Sequence, residues 1–124
     1  MIVGVGIDMI EVERVAEKIG RDTGFKKNTF HENEIAYCDK QANPAQHYAA
    51  RFACKEAFLK AAGFGLLLGT SLCDIEIGNH ANGKPTIALH NVYSNESVKN
   101  KWTAIHVSLS HVRAMGCAVV VIEQ

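Results

Sequence analysis

The chain has 124 residues, 48% of them hydrophobic, and its 13 Lys and Arg balance its 13 Asp and Glu. That length predicts a single domain over 1–124 with a real core, and the balanced charge supplies no global field to draw nucleic acid. No apolar run nears the ~20 residues needed to cross a bilayer, and the N-terminus lacks the basic-then-apolar layout of a secretion signal, so neither membrane nor export is expected. Cys38, Cys54, Cys73 and Cys117 show no paired zinc spacing and read as free, mostly buried thiols suited to a reducing cytoplasm. The histidines are scattered as well, so no zinc site is expected.

Met1 to Asp8 reads as a short buried strand ending at an acid. Asp8 shares a strand face with Gly4 and Gly6, whose missing side chains let a ligand or another backbone come close. Asp8 is then either a helix cap, a metal ligand, or both. Residues 10–20 predict an amphipathic helix with Val12, Val15, Ala16 and Ile19 on one face and Gly20 as its stop. Arg14, Lys18 and Arg21 fall on the other side, as a solvated face or a local basic docking surface. A polar loop is expected over 21–30 and a short helix over 31–40.

Asn43 and Pro44 predict the start of a long helix that Gly63 ends. On it Phe52, Glu56 and Lys60 fall in one row beside Ala49 and Ala53, which sets a carboxylate in a stripe expected to face the core. A buried carboxylate needs a cation: Lys60, a metal ion, or both. The plain alternative is an ordinary i, i+4 surface pair. Gly63, Gly65 and Gly69 follow a helix and not a strand, so they are no dinucleotide fingerprint. Leu66, Leu67 and Leu68 suit either a contact between subunits or a local core.

Strands are expected near 72–78 and 85–90, joined by a hairpin in which Asn82-Gly83 can take positive φ. A short helix over 92–100 follows. Thr103 to Ser110 alternates, with Ile105, Val107 and Leu109 on one side and His106, Ser108 and Ser110 on the other. Cys117 to Ile122 reads as a buried strand. Two hairpin-like pairs with helices predict an α+β fold with a mainly antiparallel sheet packed against helices.

Gly6-Ile7-Asp8-Met9-Ile10-Glu11-Val12-Glu13-Arg14-Val15 resembles the first motif of the holo-acyl-carrier-protein synthases, the small 4′-phosphopantetheinyl transferases. The stretch from Arg51 to Ala61 resembles their second motif, and Asn82-Gly83-Lys84-Pro85 and His106 to His111 match later segments in order. The resemblance implies transfer of the 4′-phosphopantetheine arm of coenzyme A to a serine of apo acyl carrier protein, for fatty acid biosynthesis. It implies Mg²⁺ held by Asp8 and Glu56, with Lys60 near the pyrophosphate. Arg51, His111 and the turn Gly83, Lys84, Pro85 would meet the adenosine 3′,5′-bisphosphate end, and Ser108 and Ser110 are further phosphate or adenosine contacts, or simply the polar face of a strand. Arg14, with Lys18 and Arg21, would receive the acidic carrier, and a homotrimer with sites between subunits is implied. Glu56 is the candidate base and His111 its rival. Ser108 and Ser110 lack a nucleophile elbow. A non-catalytic coenzyme A module and an adaptor trimer are the competing readings.

Overall fold

Glycines at alternate positions of the first strand set the architecture. In the computed structural model, which describes residues 1–21, 23–65 and 71–124, β1 runs Ile2–Glu11 and turns Gly4 and Gly6 toward the helix α4, Pro44–Ala62. A Cβ on Gly4 would stand 1.8 Å from the Ala61 carbonyl oxygen, and one on Gly6 would stand 1.9 Å from that of Ala57. The glycines therefore admit a helix backbone and not a ligand. The acid beyond them is carried to a fixed place against α4.

Between these elements lie α1 (Val12–Gly20), α2 (Phe25–Thr29) and α3 (Glu32–Asp39). After α4 come a 3₁₀ turn (Leu72–Asp74), β2 (Ile75–Asn79), β3 (Pro85–Leu89), α5 (Val92–Lys99), β4 (Ala104–His111) and β5 (Met115–Glu123). One antiparallel sheet has the order β1-β5-β4, and β2 and β3 form a separate antiparallel pair. The α+β class with antiparallel pairing is as expected.

The inner face of the three-stranded sheet offers Ile10, Ala118, Val120 and Ile122 to the alanines of α4. Small residues at Ala49, Ala53, Ala57 and Ala61 let helix and sheet approach closely. Phe58 adds bulk from the same helix, edge-on to Tyr93 and Trp102. Both α4 caps are local: Pro44 stands at the start, and Gly63 closes the end at φ 75°.

Several expectations change. The strand does not stop at Asp8; it continues to Glu11, so Asp8 caps no helix, and Glu11 holds that place without a side-chain bond. Residues 21–30 contain α2. Ala16 is exposed and not on the packed face of α1. The final strand alternates, with Ala118, Val120 and Ile122 buried and Cys117, Val119 and Val121 only partly covered. Cys73 lies in the 3₁₀ turn. Leu66, Leu67 and Leu68 lie outside the described residues.

The largest departure is on α4. The row Phe52, Glu56, Lys60 borders the core and does not enter it: Phe52 and Glu56 are half-buried and Lys60 is exposed. The buried charges on α4 are instead Arg51 and Lys55; Lys55 has 0% exposure, and its Nζ lies 2.7 Å from Glu34 Oε1 on α3. Lys55 also donates to the carbonyls of Leu72 and Ile75. Burial pulls the Lys55 ammonium below its usual range, against the opposing pull of Glu34, and burial raises Glu34 against the pull of Lys55. This pair ties α3, α4 and the start of β2 together.

Candidate active site

Asp8 sits on the inner face of β1, two residues beyond Gly6, where the strand clears the last turns of α4. Lys60 Nζ donates to Asp8 Oδ1 at 3.0 Å and to the Ile7 carbonyl at 3.0 Å. Glu56 lies one helical turn before Lys60, on the same side of α4. Its carboxyl is raised above the usual range, first by burial and then by the nearby charge of Asp8, against the opposing pull of Lys60 and Lys18. The fold thus brings the two acids together, with two ammonium groups beside them.

Lys18 does not simply face solvent. Its Nζ stands 5.4 Å from the Phe25 ring centroid and 6.0 Å from that of Phe52. Those two rings are 5.9 Å apart. A cation–π seat of this kind holds the ammonium over the Phe52 side of α4, next to Glu56. Arg14 and Arg21 remain exposed along α1. The basic face therefore adjoins the acid pair.

A second cluster forms on another side of α4. Arg51, only 3% exposed, donates from Nη2 to Asn79 Oδ1 at 2.8 Å. Asn79 in turn donates to the Gly83 carbonyl at 2.9 Å, and the Asn82 side chain accepts from the Lys84 amide at 3.0 Å. Gly83 takes φ 88°, as the hairpin requires, and Pro85 opens β3. The Arg51 guanidinium lies 4.3 Å from the centroid of Tyr37. Tyr37 meets His47 at 5.9 Å, and His47 meets His111 at 4.9 Å between ring centroids. Burial, then His111 and Arg51, lower the His47 pKa.

Arg51, His111 and the Gly83-Lys84-Pro85 turn are thus joined through Asn79, Tyr37 and His47, none of which the sequence motifs singled out. Arg51 Nε is buried without a partner among the described residues, a cost that an anion or water would relieve. Beside it opens a groove of about 420 Å³ lined by Tyr37, Arg51, Gly78, Asn79 and His80. Tyr37 had a weak signal in hindsight. It stands on the helix expected over 31–40, but nothing in its spacing foretold an arginine from α4 against its ring.

Ser108 and Ser110 are not with His111. The pleat turns them to the outer face of the sheet, opposite Val119 and Cys117, while His111 points to the α4 side. Beyond the His106–Glu123 pair at one end, that outer face carries an apolar stripe. Val5, Ile7 and Met9 keep 62%, 64% and 64% of their surface exposed. Arg51 and Glu56, five residues apart on one helix, point about 140° away from each other. Within one chain, then, the acid pair, the Arg51–His111 cluster and the two serines occupy three different aspects of the surface.

Two hard carboxylate donors are the set a Mg²⁺ ion takes, and a divalent cation would offset the cost of half-burying Glu56 beside the charge of Asp8. Among the described residues no helix is long and apolar enough to cross a membrane.

The model of the 4′-phosphopantetheinyl transferase superfamily matches residues 4–119. The holo-[acyl-carrier-protein] synthase of Syntrophus aciditrophicus is 44% identical over 124 residues, covering 99% of this chain and 97% of that one. Among solved structures, the holo-[acyl-carrier-protein] synthase of Neisseria meningitidis superposes with a TM-score of 0.91 at 29% identity, over 100% of both chains. That of Bacillus anthracis, in complex with CoA (3′,5′-ADP), gives a TM-score of 0.81 at 33% identity, over 100% of this chain and 98% of the other.

Proposed function

The chain belongs to the 4′-phosphopantetheinyl transferase superfamily, and on that premise we propose that it moves the 4′-phosphopantetheine arm of coenzyme A onto a serine of apo acyl carrier protein, releasing adenosine 3′,5′-bisphosphate. The observation that carries this reading is the convergence of Asp8 on β1 with Glu56 and Lys60 on α4.

The obstacle in phosphoryl transfer is charge on the phosphate oxygens, so positioning and cation placement supply most of the rate. Asp8 and Glu56 would hold Mg²⁺, which when bound would offset the charge of the pyrophosphate. Lys60, already anchored on Asp8 and the Ile7 carbonyl, presents an ammonium to the leaving phosphate. Glu56, set beside Asp8 and Lys60, takes the serine proton. His111, seated against His47 on the other side of α4, is left a binding role.

Arg51, His111 and the turn Gly83, Lys84, Pro85 receive the bisphosphate end of coenzyme A. The orphaned Nε of Arg51 beside an open groove supports that assignment. Arg14, Lys18 and Arg21 dock the acidic carrier, and the seat of Lys18 near Glu56 suits a face that delivers a serine to the acid pair.

The assembly is a homotrimer with sites completed between subunits. Two features support this: the uncovered apolar stripe of Val3, Val5, Ile7 and Met9, and the separation of acids from adenosine contacts within one chain. Ser108 and Ser110, on that same outer face, reach the ligand only across a subunit boundary. The whole of 1–124 acts as one domain, in the cytoplasm, where the free thiols of all four cysteines are stable and the holo carrier serves fatty acid synthesis.

The test is to incubate the protein with coenzyme A, Mg²⁺ and apo carrier and weigh the carrier. A mass gain equal to phosphopantetheine is expected. Binding of coenzyme A without any gain across several carriers would leave a binding module instead.

A further inference from the structure

Away from the acid pair, three side chains from three elements turn toward one point. His31 is the N-cap of α3, Glu76 lies on β2, and His90 follows β3. His90 Nε2 is 2.9 Å from Glu76 Oε1, and His31 Nε2 is 3.6 Å from the same oxygen. All three ligand atoms lie within 4.8 Å of one another. The two imidazoles stack at 5.3 Å with an interplanar angle of 19°.

We propose that His31, Glu76 and His90 form a binding site for a first-row transition cation of the Zn²⁺ class, distinct from the Mg²⁺ carboxylates. The spacing carries the argument. Metal–ligand bonds of about 2.0–2.1 Å at tetrahedral angles separate ligand atoms by about 3.3 Å. The separations of 2.9 and 3.6 Å from Glu76 bracket that value and the third lies within 4.8 Å, so side-chain adjustment closes the set round an ion. Two imidazoles and one carboxylate favour zinc, cobalt or nickel over Mg²⁺, which prefers oxygen. Partial exposure leaves a fourth position to water, and Asn33 and Glu76 also line the groove of about 420 Å³ beside Arg51.

An outer layer is present too. Asn33 Nδ2 donates to Glu76 Oε2 at 3.1 Å and holds the carboxylate in place. The Asn33 backbone amide donates to His31 Nδ1 at 3.1 Å, so a neutral His31 carries its proton on Nε2. Ligation through Nε2 moves that proton to Nδ1 and gives up this cap bond, a loss of about fivefold in affinity. Three ligands from a site already assembled outweigh it. The bound ion would clamp α3 to the β2–β3 pair.

The test uses tag-free protein, stripped by chelator and titrated with Zn²⁺ by calorimetry in saturating Mg²⁺, with Co²⁺ absorption as a second readout. About one Zn²⁺ per chain is expected, with a rise in Tm. His90→Gln, at a half-exposed loop position, should weaken binding about tenfold or more. His31→Asn should do the same while keeping a good helix cap, which separates ligand loss from cap loss. His106→Gln, on the outer sheet face, should bind Zn²⁺ like the parent. Carrier modification should survive His31→Asn and His90→Gln, so failure here is distinguishable from failure of the transferase reading. No binding by the parent, or binding unchanged in His31→Asn and His90→Gln, overturns the site.

Discussion

Lys60 Nζ stands 3.0 Å from Asp8 Oδ1 and so fastens the far turns of α4 to the middle of β1. The bond crosses between two elements remote in sequence, and it sets Glu56 beside Asp8. Because Lys60 keeps 57% of its side chain exposed, the pair contributes little to stability, on the order of 0–1 kcal/mol. Lys60→Ala should therefore leave the urea midpoint nearly unchanged. It should lower kcat by roughly 10²-fold, the scale of losing one positioned cationic or hydrogen-bonding group at developing charge. An equal loss of Tm and activity would reassign Lys60 to the fold.

Gly6 permits the acid pair to form at all. Its Cβ would meet a backbone carbonyl at 1.9 Å, which no side-chain rotation relieves. Gly6→Ala should push β1 from α4, destabilise by about 3 kcal/mol or more, and cut transfer activity beyond what the unfolded fraction explains. Thermal melts and carrier labelling on the folded fraction measure both. Gly20→Ala, where a Cβ meets open space, is the control and should match the parent.

The buried pair Lys55–Glu34 makes a different prediction. Lys55→Met strands a buried carboxylate and should cost about 3–5 kcal/mol, while Lys55→Met with Glu34→Leu should recover much of it. Chemical denaturation of the three variants gives the comparison. No recovery in the double variant would mean that the other bonds of the pair, from Lys55 to the Leu72 and Ile75 carbonyls and from the His31 amide to Glu34, set the requirement.

Much of this organisation was readable from residues. The caps Pro44 and Gly63, the strand face shared by Gly4, Gly6 and Asp8, and the alternation of β4 are local patterns, and local patterns survive folding. The Lys55–Glu34 pair was not readable, because an i-to-j contact between α3 and α4 leaves no periodic trace. The same holds for Tyr37 and His47 between Arg51 and His111. Burial of the Phe52, Glu56, Lys60 row was over-read from a helical wheel. The wheel gives angles but not which face the sheet covers: the edge strand β1 packs on Ala57 and Ala61 and leaves Glu56 and Lys60 at its border.

On the carrier side, Arg14→Glu should raise KM for the acyl carrier protein far more than KM for coenzyme A, with the difference shrinking in high salt. Steady-state kinetics with each substrate varied in turn measures this. Equal changes for both substrates would remove the docking role from α1.

The outer sheet face gives a prediction on assembly. Ile7→Glu places a charge in the apolar stripe and should turn the proposed trimer into monomers by light scattering, with transfer activity lost even where the fold by circular dichroism is kept. A parent protein that is monomeric and fully active at nanomolar concentration would contradict sites shared between subunits.

The most direct measurement is a calorimetric titration of Mg²⁺ into the protein saturated with coenzyme A, repeated with Asp8→Ala and Glu56→Gln. The account predicts a single class of Mg²⁺ sites in the parent and its loss in both variants, with carrier modification abolished alongside. Mg²⁺ binding of parental strength in either variant, together with transfer that still depends on the ion, would contradict the pairing of these two carboxylates.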